Sequence, residues 1–102
     1  MRLVDVAALA DVAPGQPRLV ELDGRAVTLL NVSGEIMAFD DRCPHNGGPL
    51  HRGRVDGCML ACPWHGWTWD ARTGRSASPP SDWRLRRHQA VVQDGRVLLE
   101  SR

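Results

Sequence analysis

Four side chains in the middle of the chain have the types and spacing to hold a metal. Cys43 and His45 are separated by one residue, Cys62 and His65 by two, and sixteen residues lie between the pairs. Thiolates and neutral imidazoles are ligands that transition metals favour, and two of each make a complete first shell. Pro44 and Pro63 each follow a cysteine, while Gly47, Gly48 and Gly66 follow the histidines closely. Such segments break regular structure and let backbone amides turn inward toward a buried negative charge. The two pairs are therefore expected on two loops, with the rest of the chain holding those loops face to face.

Zinc is the first metal to weigh, because two cysteines and two histidines form a common structural zinc set. Zinc fingers, however, pair Cys with Cys and His with His around a ββα unit. Here each half-site mixes one Cys with one His, at unequal spacing and without a helix-forming segment. The other centre with this ligand set is the Rieske 2Fe–2S cluster, in which two histidines replace two cysteines on one iron. One ligand of each kind per loop suits a two-iron site.

The wording of the stretch carries a resemblance. CPH followed by GGPL, and CPWHGW followed by Asp70 and Thr73-Gly74, are similar to the two ligand loops of Rieske-type ferredoxins. The resemblance is densest over residues 39–80, weaker over the N-terminal strands, and returns at residues 91–97 (VVQDGRV). It implies one 2Fe–2S cluster, with Cys43 and Cys62 on the inner iron and His45 and His65 on the outer iron. The far edges of both imidazoles would then face solvent. It assigns no catalytic residue.

Departures from one branch of that family bear on redox potential. Respiratory and photosynthetic Rieske proteins resemble this loop pair but add a disulfide between the loops, where this chain has Gly48 and Trp64. They also place Ser and Tyr hydroxyls, donors to cluster or ligand sulfur, where this chain has Trp67 and Trp69. Donors to sulfur stabilise the added electron, so their loss lowers the potential. The expected midpoint lies at the low end of the Rieske range, near about −150 mV.

The elements that must position the loops read as short strands. Asp23-Gly24, Ser33-Gly34, Asp56-Gly57, Thr73-Gly74 and Asp94-Gly95 are five turn signals between β-favouring runs. Strands are expected at residues 2–7, 18–22, 25–30, 35–40, near Val55, and at 58–61, 67–71, 85–93 and 96–100. Residues 7–13 have room for one short helical turn. The pattern predicts an all-β antiparallel sandwich or barrel, with residues 1–102 as a single Rieske domain and a small cluster-binding subdomain at about 41–80. The polar segment at residues 76–81 (SASPPS) is expected to be a stiff loop beside the site.

Composition bounds the function. At 102 residues the chain can bury a real core, and its formal charge of +1 gives no case for nucleic acid or an anionic membrane surface. All 13 basic residues are arginine and are dispersed. Three cysteines argue against a secreted disulfide framework. The N-terminal stretch, interrupted by Asp5, is too short and polar for a signal peptide or membrane span. A cytoplasmic monomer is expected.

Other residues have plainer expected roles. Trp67 and Trp69 are expected in the core of the cluster region, Trp64 is divided between docking and packing, and Cys58 is expected buried in a strand. His51 is expected at the surface near the site, His88 in packing, and Arg84, Arg86 and Arg87 on a solvated strand face. No nucleophile–base pair suggests substrate catalysis. The expected function is a soluble one-electron carrier, taking electrons from an NAD(P)H-dependent flavoprotein reductase and passing them to a terminal oxygenase such as an aromatic-ring-hydroxylating dioxygenase. The alternatives are the small subunit of an NAD(P)H-dependent nitrite reductase and a zinc-bound structural or interaction module.

Overall fold

A computed structural model describes residues 2–64, 66–78 and 80–101, excluding the side chains of Ser78 and Pro80. The strands are β1 (Arg2–Ala8), β2 (Arg18–Leu22), β3 (Arg25–Val32), β4 (Glu35–Asp40), β5 (Arg54–Asp56), β6 (Met59–Ala61), β7 (Thr68–Asp70), β8 (Arg75–Ser78), β9 (Pro80–Arg84), β10 (Arg87–His88), β11 (Ala90–Gln93) and β12 (Arg96–Ser101). Leu9–Asp11 and Leu50–Arg52 form short 3₁₀ turns, and no α-helix occurs among the described residues. The fold is all-β, as expected from the turn signals, and its sheets are open rather than closed into a barrel.

Three tight hairpins fall where the sequence predicts them. Leu22 pairs with Arg25, Val32 with Glu35 and Gln93 with Arg96, leaving Asp23-Gly24, Ser33-Gly34 and Asp94-Gly95 as two-residue turns. Asp23, Ser33 and Asp94 lie at φ of 51°, 53° and 53°. Each is followed by a glycine also at positive φ, the pattern of a type I′ turn, whose twist matches that of the flanking strands.

The central ribbon β3–β4 is buried on both faces, and this organises the molecule. Side chains alternate across a strand. Val27, Leu29, Ile36 and Ala38 therefore face one core, shared with Leu22, Val97 and Leu99. Leu30, Val32, Met37 and Phe39 face the other, shared with Cys43, Leu50, Leu60, Cys62 and Trp69. The first core joins the sheet β10-β4-β3-β2 to the sheet β1-β12-β11; the second joins it to the antiparallel run β5-β6-β7-β8-β9 that carries the metal-ligand candidates. Each fully buried aliphatic side chain contributes about 1.5–3 kcal/mol.

Three expectations need correction. Residues 85–93 are not one strand: β10 pairs with β4, the chain leaves that sheet at Gln89, and β11 pairs with β12. Leu85 belongs to the site-side core while Ala90 packs on the other, so the segment has to cross between layers. Residues 76–81 are not a loop, because they contribute to the β8–β9 hairpin, in which Ala77 pairs with Pro80. Pro79 lies outside the described residues. Cys58 is in a turn rather than a strand: Asp56 pairs with Met59, leaving Gly57-Cys58 as the two-residue connection.

Candidate metal centre

Cys43 lies just beyond the end of β4, and Cys62 directly follows β6. Both are buried, and both belong to the core that β3–β4 shares with the outer hairpins. Their loops use one hydrogen-bond scheme. The Cys43 N–H donates to the Gly48 carbonyl at 2.9 Å, and the Gly47 N–H donates back to the Cys43 carbonyl at 2.7 Å. In the second loop the Cys62 N–H donates to the Trp67 carbonyl at 2.7 Å, and the Gly66 N–H to the Cys62 carbonyl at 3.0 Å. Gly47 and Gly66 occupy the same place in the scheme at φ of 79° and 73°, a conformation in which a Cβ is strained. Two loops with different ligand spacing thus share one backbone fold, which pinches each cysteine inward.

The sulfur environment suits an anion. The backbone amides of His45 and Asn46 donate toward the Cys43 sulfur and favour its thiolate. Burial outweighs them and holds the Cys43 thiol above its ordinary range, with the adjacent Cys62 thiol adding to the rise. The Cys62 thiol lies 3.6 Å from Asn46 Oδ1, which also accepts the Gly48 N–H at 2.9 Å. Two buried donors nearby, Asn46 Nδ2 and Trp69 Nε1, have no acceptor among the described residues. Adjacent buried thiols, inward amides and spare N–H groups fit a sulfur-rich, electron-rich group better than an empty apolar core.

His45 is half-buried at the rim, its ring stacked on Trp67 with centroids 4.0 Å apart and planes 7° from parallel. Trp83, from β9, leans over both rings, 5.3 Å from His45 and 5.4 Å from Trp67. An indole on β9, next to the segment expected as a stiff loop, thus covers part of this rim. Trp69 is fully buried, Trp67 half-buried, and Trp64 is 60% exposed. His65, the fourth expected ligand, lies outside the described residues.

Gly48 and Trp64 face each other, as the missing disulfide suggests. A Cβ built at Gly48 meets Trp64 Cδ2 at 3.2 Å, Asn46 Oδ1 at 3.1 Å and Cys62 Sγ at 3.0 Å. The indole fills the space beside Gly48, and no larger residue fits there without movement.

The first loop is tied to the central ribbon by Asp41, which the sequence signals only by an acidic pair just before Cys43. Its nearly buried carboxylate accepts the Thr28 hydroxyl at 2.9 Å and the His51 N–H at 2.7 Å, and its other oxygen meets His51 Nδ1 at 2.7 Å. His51 is therefore a half-buried anchor of the loop rather than a plain surface residue. His88 likewise makes a polar bond, Nε2 to Asp40 Oδ1 at 2.6 Å, which helps hold β10 to β4. Cys58 is half-buried against the site-side core, and Arg84, Arg86 and Arg87 are exposed. Nothing in the sequence around Trp83 signals its place over His45.

Two buried cysteines from two equivalent loops, with an imidazole at the rim, form a candidate centre of mixed cysteine and histidine ligation on an all-β frame. Residues 2–89 match the family described as the Rieske [2Fe-2S] domain, and the chain belongs to that family. The ferredoxin component of the naphthalene 1,2-dioxygenase/salicylate 5-hydroxylase systems of Ralstonia sp is 29% identical over 97 residues, covering 95% of this chain and 93% of that one. The Sphingomonas yanoikuyae B1 ferredoxin superposes with a TM-score of 0.92 at 27% identity, covering 99% of this chain and all of that one. A chain in a complex of reduced oxygenase and oxidized ferredoxin in carbazole 1,9a-dioxygenase is 31% identical, with a TM-score of 0.87 over 95% of this chain and 91% of that one. The cofactor is a Rieske-type 2Fe–2S cluster, and the chain is an electron carrier rather than an enzyme in its own right.

Proposed function

We propose that this ferredoxin accepts single electrons from an NAD(P)H-dependent flavoprotein reductase and delivers them to a terminal oxygenase of the ring-hydroxylating kind. Cys43 and Cys62 would hold one iron of the cluster, and His45 and His65 the other. When bound, the cluster supplies one-electron redox chemistry. The chain's own residues enclose the thiolates, aim amides at them and fix the orientation of His45. The carrying observation is the asymmetry of burial: both cysteines are shut in the core, while His45 sits half-buried at the rim against the exposed indole of Trp83, and Trp64 on the second loop is also exposed. An imidazole there gives the electron a short exit, and exposed aromatic side chains are the type enriched where partners dock. Ferredoxin components among the relatives, and an oxygenase–ferredoxin complex among the similar structures, support that choice of partner.

Within this reading residues 1–102 form one Rieske domain, and residues 41–80 form its cluster-binding part, completed by β9 through Trp83. We propose further that the carrier acts as a monomer in the cytoplasm. The test is reconstitution. The purified protein should be red-brown and bleach with dithionite, and the reduced form should give an electron paramagnetic resonance (EPR) spectrum with average g well below that of four-cysteine clusters. Added to a flavoprotein reductase and a ring-hydroxylating oxygenase, it should restore NAD(P)H-dependent product formation. A colourless zinc protein would overturn the cluster, and a loaded protein that reduces no oxygenase would overturn the carrier role.

A further inference from the structure

Trp69 occupies the fully buried middle position of β7, opposite Leu60, and its indole N–H has no acceptor among the described residues. An N–H shut away from water without a partner costs about 1–3 kcal/mol. Phenylalanine would fill much of the same space without that cost, so the indole has something to explain. The hydrocarbon side chains around it, including Phe39, Leu30, Leu50 and Leu60, accept nothing. The acceptors among the side chains of that core, and of those packed against it, are the sulfurs of Cys43 and Cys62, the half-buried Cys58 thiol, itself a weak acceptor, and the Met37 thioether. A thioether is a weak acceptor, whereas an iron-bound thiolate or a sulfide carries negative charge and is a stronger one. Trp69 also lies close to the ligand loops, its ring centroid 6.0 Å from Trp67, which is stacked on His45.

We propose that the Trp69 indole N–H is a hydrogen-bond donor to a sulfur of the bound cluster and sets its redox potential. The proposal rests on the 2Fe–2S reading above. From sequence, Trp67 and Trp69 mark the loss of two hydroxyl donors; on this proposal Trp69 restores one of them from a different side chain. A donor to sulfur stabilises the form that carries the extra electron, so the potential is higher than in a site without it. The buried position makes the bond strong, because no water competes for either partner.

The experiment compares the loaded wild-type protein with W69F and with a protein carrying benzothienylalanine at position 69. That analogue replaces the N–H by sulfur and keeps the bicyclic shape. Cluster content is first equalised by visible absorbance and by EPR of the reduced state. Both variants are expected to keep the His-ligated EPR signature and to shift the midpoint potential to more negative values. The deuterium sensitivity of the Fe–S stretching bands, read by resonance Raman, should diminish in parallel. If W69F does not fold or load, the benzothienylalanine protein decides alone. A midpoint equal to the wild type in that protein overturns the proposal while leaving the cluster assignment standing. A wild type without the mixed-ligand signal would instead refute the cluster assignment before any variant is compared.

Discussion

The imidazole of His45 lies flat on the indole of Trp67, centroids 4.0 Å apart and planes 7° from parallel. The two residues come from different ligand loops, so one ring contact joins the loops across the site. Offset aromatic contacts of this type are worth about 0.5–1.5 kcal/mol beyond the area they bury. Trp67→Ala should lower the melting temperature and shorten the lifetime of the cluster, and Trp67→Phe should recover a good part of both. Thermal unfolding and the decay of visible absorbance measure the two effects. Equal cluster lifetimes in wild type and the alanine variant would show that the stack does not steady His45.

Gly48 has three tight neighbours and no room for a side chain. Gly48→Ala brings a methyl to 3.0 Å from Cys62 Sγ and 3.2 Å from the Trp64 ring. Overpacking of this kind costs about 1–3 kcal/mol, and here it falls on the sulfur of Cys62, a proposed ligand. Reduced cluster occupancy is expected on expression. The double variant Gly48→Ala, Trp64→Ala should recover only part of it, because the contact with sulfur remains. Iron and sulfide per protein give the measurement, and full recovery would assign the strain to the indole alone.

Asp41 gathers the Thr28 hydroxyl and two groups of His51. Asp41→Ala leaves the buried Thr28 hydroxyl without this acceptor, which costs about 1–3 kcal/mol. For a domain of this size that lowers the melting temperature by several degrees. In Thr28→Val the donor is removed instead of the acceptor, and the loss should be smaller. Amide hydrogen exchange in residues 42–52 should rise in the first variant more than in the second.

Burial holds the Cys43 thiol above its ordinary value of 9.0 in the metal-free fold. Its neutral form is therefore the one favoured by folding. The stabilising contribution is full below the thiol value of the unfolded chain and is lost as pH rises through the higher value of the folded one. Metal-free protein should lose stability above about pH 8.5, and Cys43→Ala should lose less over the same range. Reconstitution must also displace the thiol proton, so it should speed up with pH and release protons. Melting temperature against pH, with and without Cys43, checks the sign.

Cys43→Ala, His45→Ala, Cys62→Ala and His65→Ala should each abolish the cluster, with local loosening of both loops. The visible spectrum and iron content of the four purified variants are the readout. Full retention in any one removes that residue from the ligand set.

The turns were legible in the sequence, as were the candidate ligands that the 2Fe–2S proposal uses, because both are local. Cys43, His45, Cys62 and His65 stand at fixed short spacing, and the three I′ hairpins follow from residue pairs that accept positive φ. Gly48 and Trp64, read from the resemblance as positions where a disulfide is missing, do face each other across the two loops. Residues 85–93 were misread because no Gly, Pro or other turn signal interrupts them, and nothing local says which sheet they join. The turn at Gly57-Cys58 was misplaced by one residue, since Asp-Gly and Gly-Cys both accommodate a tight connection and the pairing of Asp56 with Met59 decides between them.

By itself the sequence determined the all-β class and most strand boundaries and singled out the candidate ligands, because these depend on side-chain chemistry and on backbone angles within a few residues. Only the tertiary structure decided that β3–β4 is buried on both faces, since alternation along a strand does not reveal what covers each side. Only it brought Asp41 to Thr28 and His51, and Trp83 over His45. It also left the Trp69 N–H enclosed in the core that holds the two buried cysteines. Those relationships join residues far apart along the chain, and they exist only once the two cores have closed around the central ribbon.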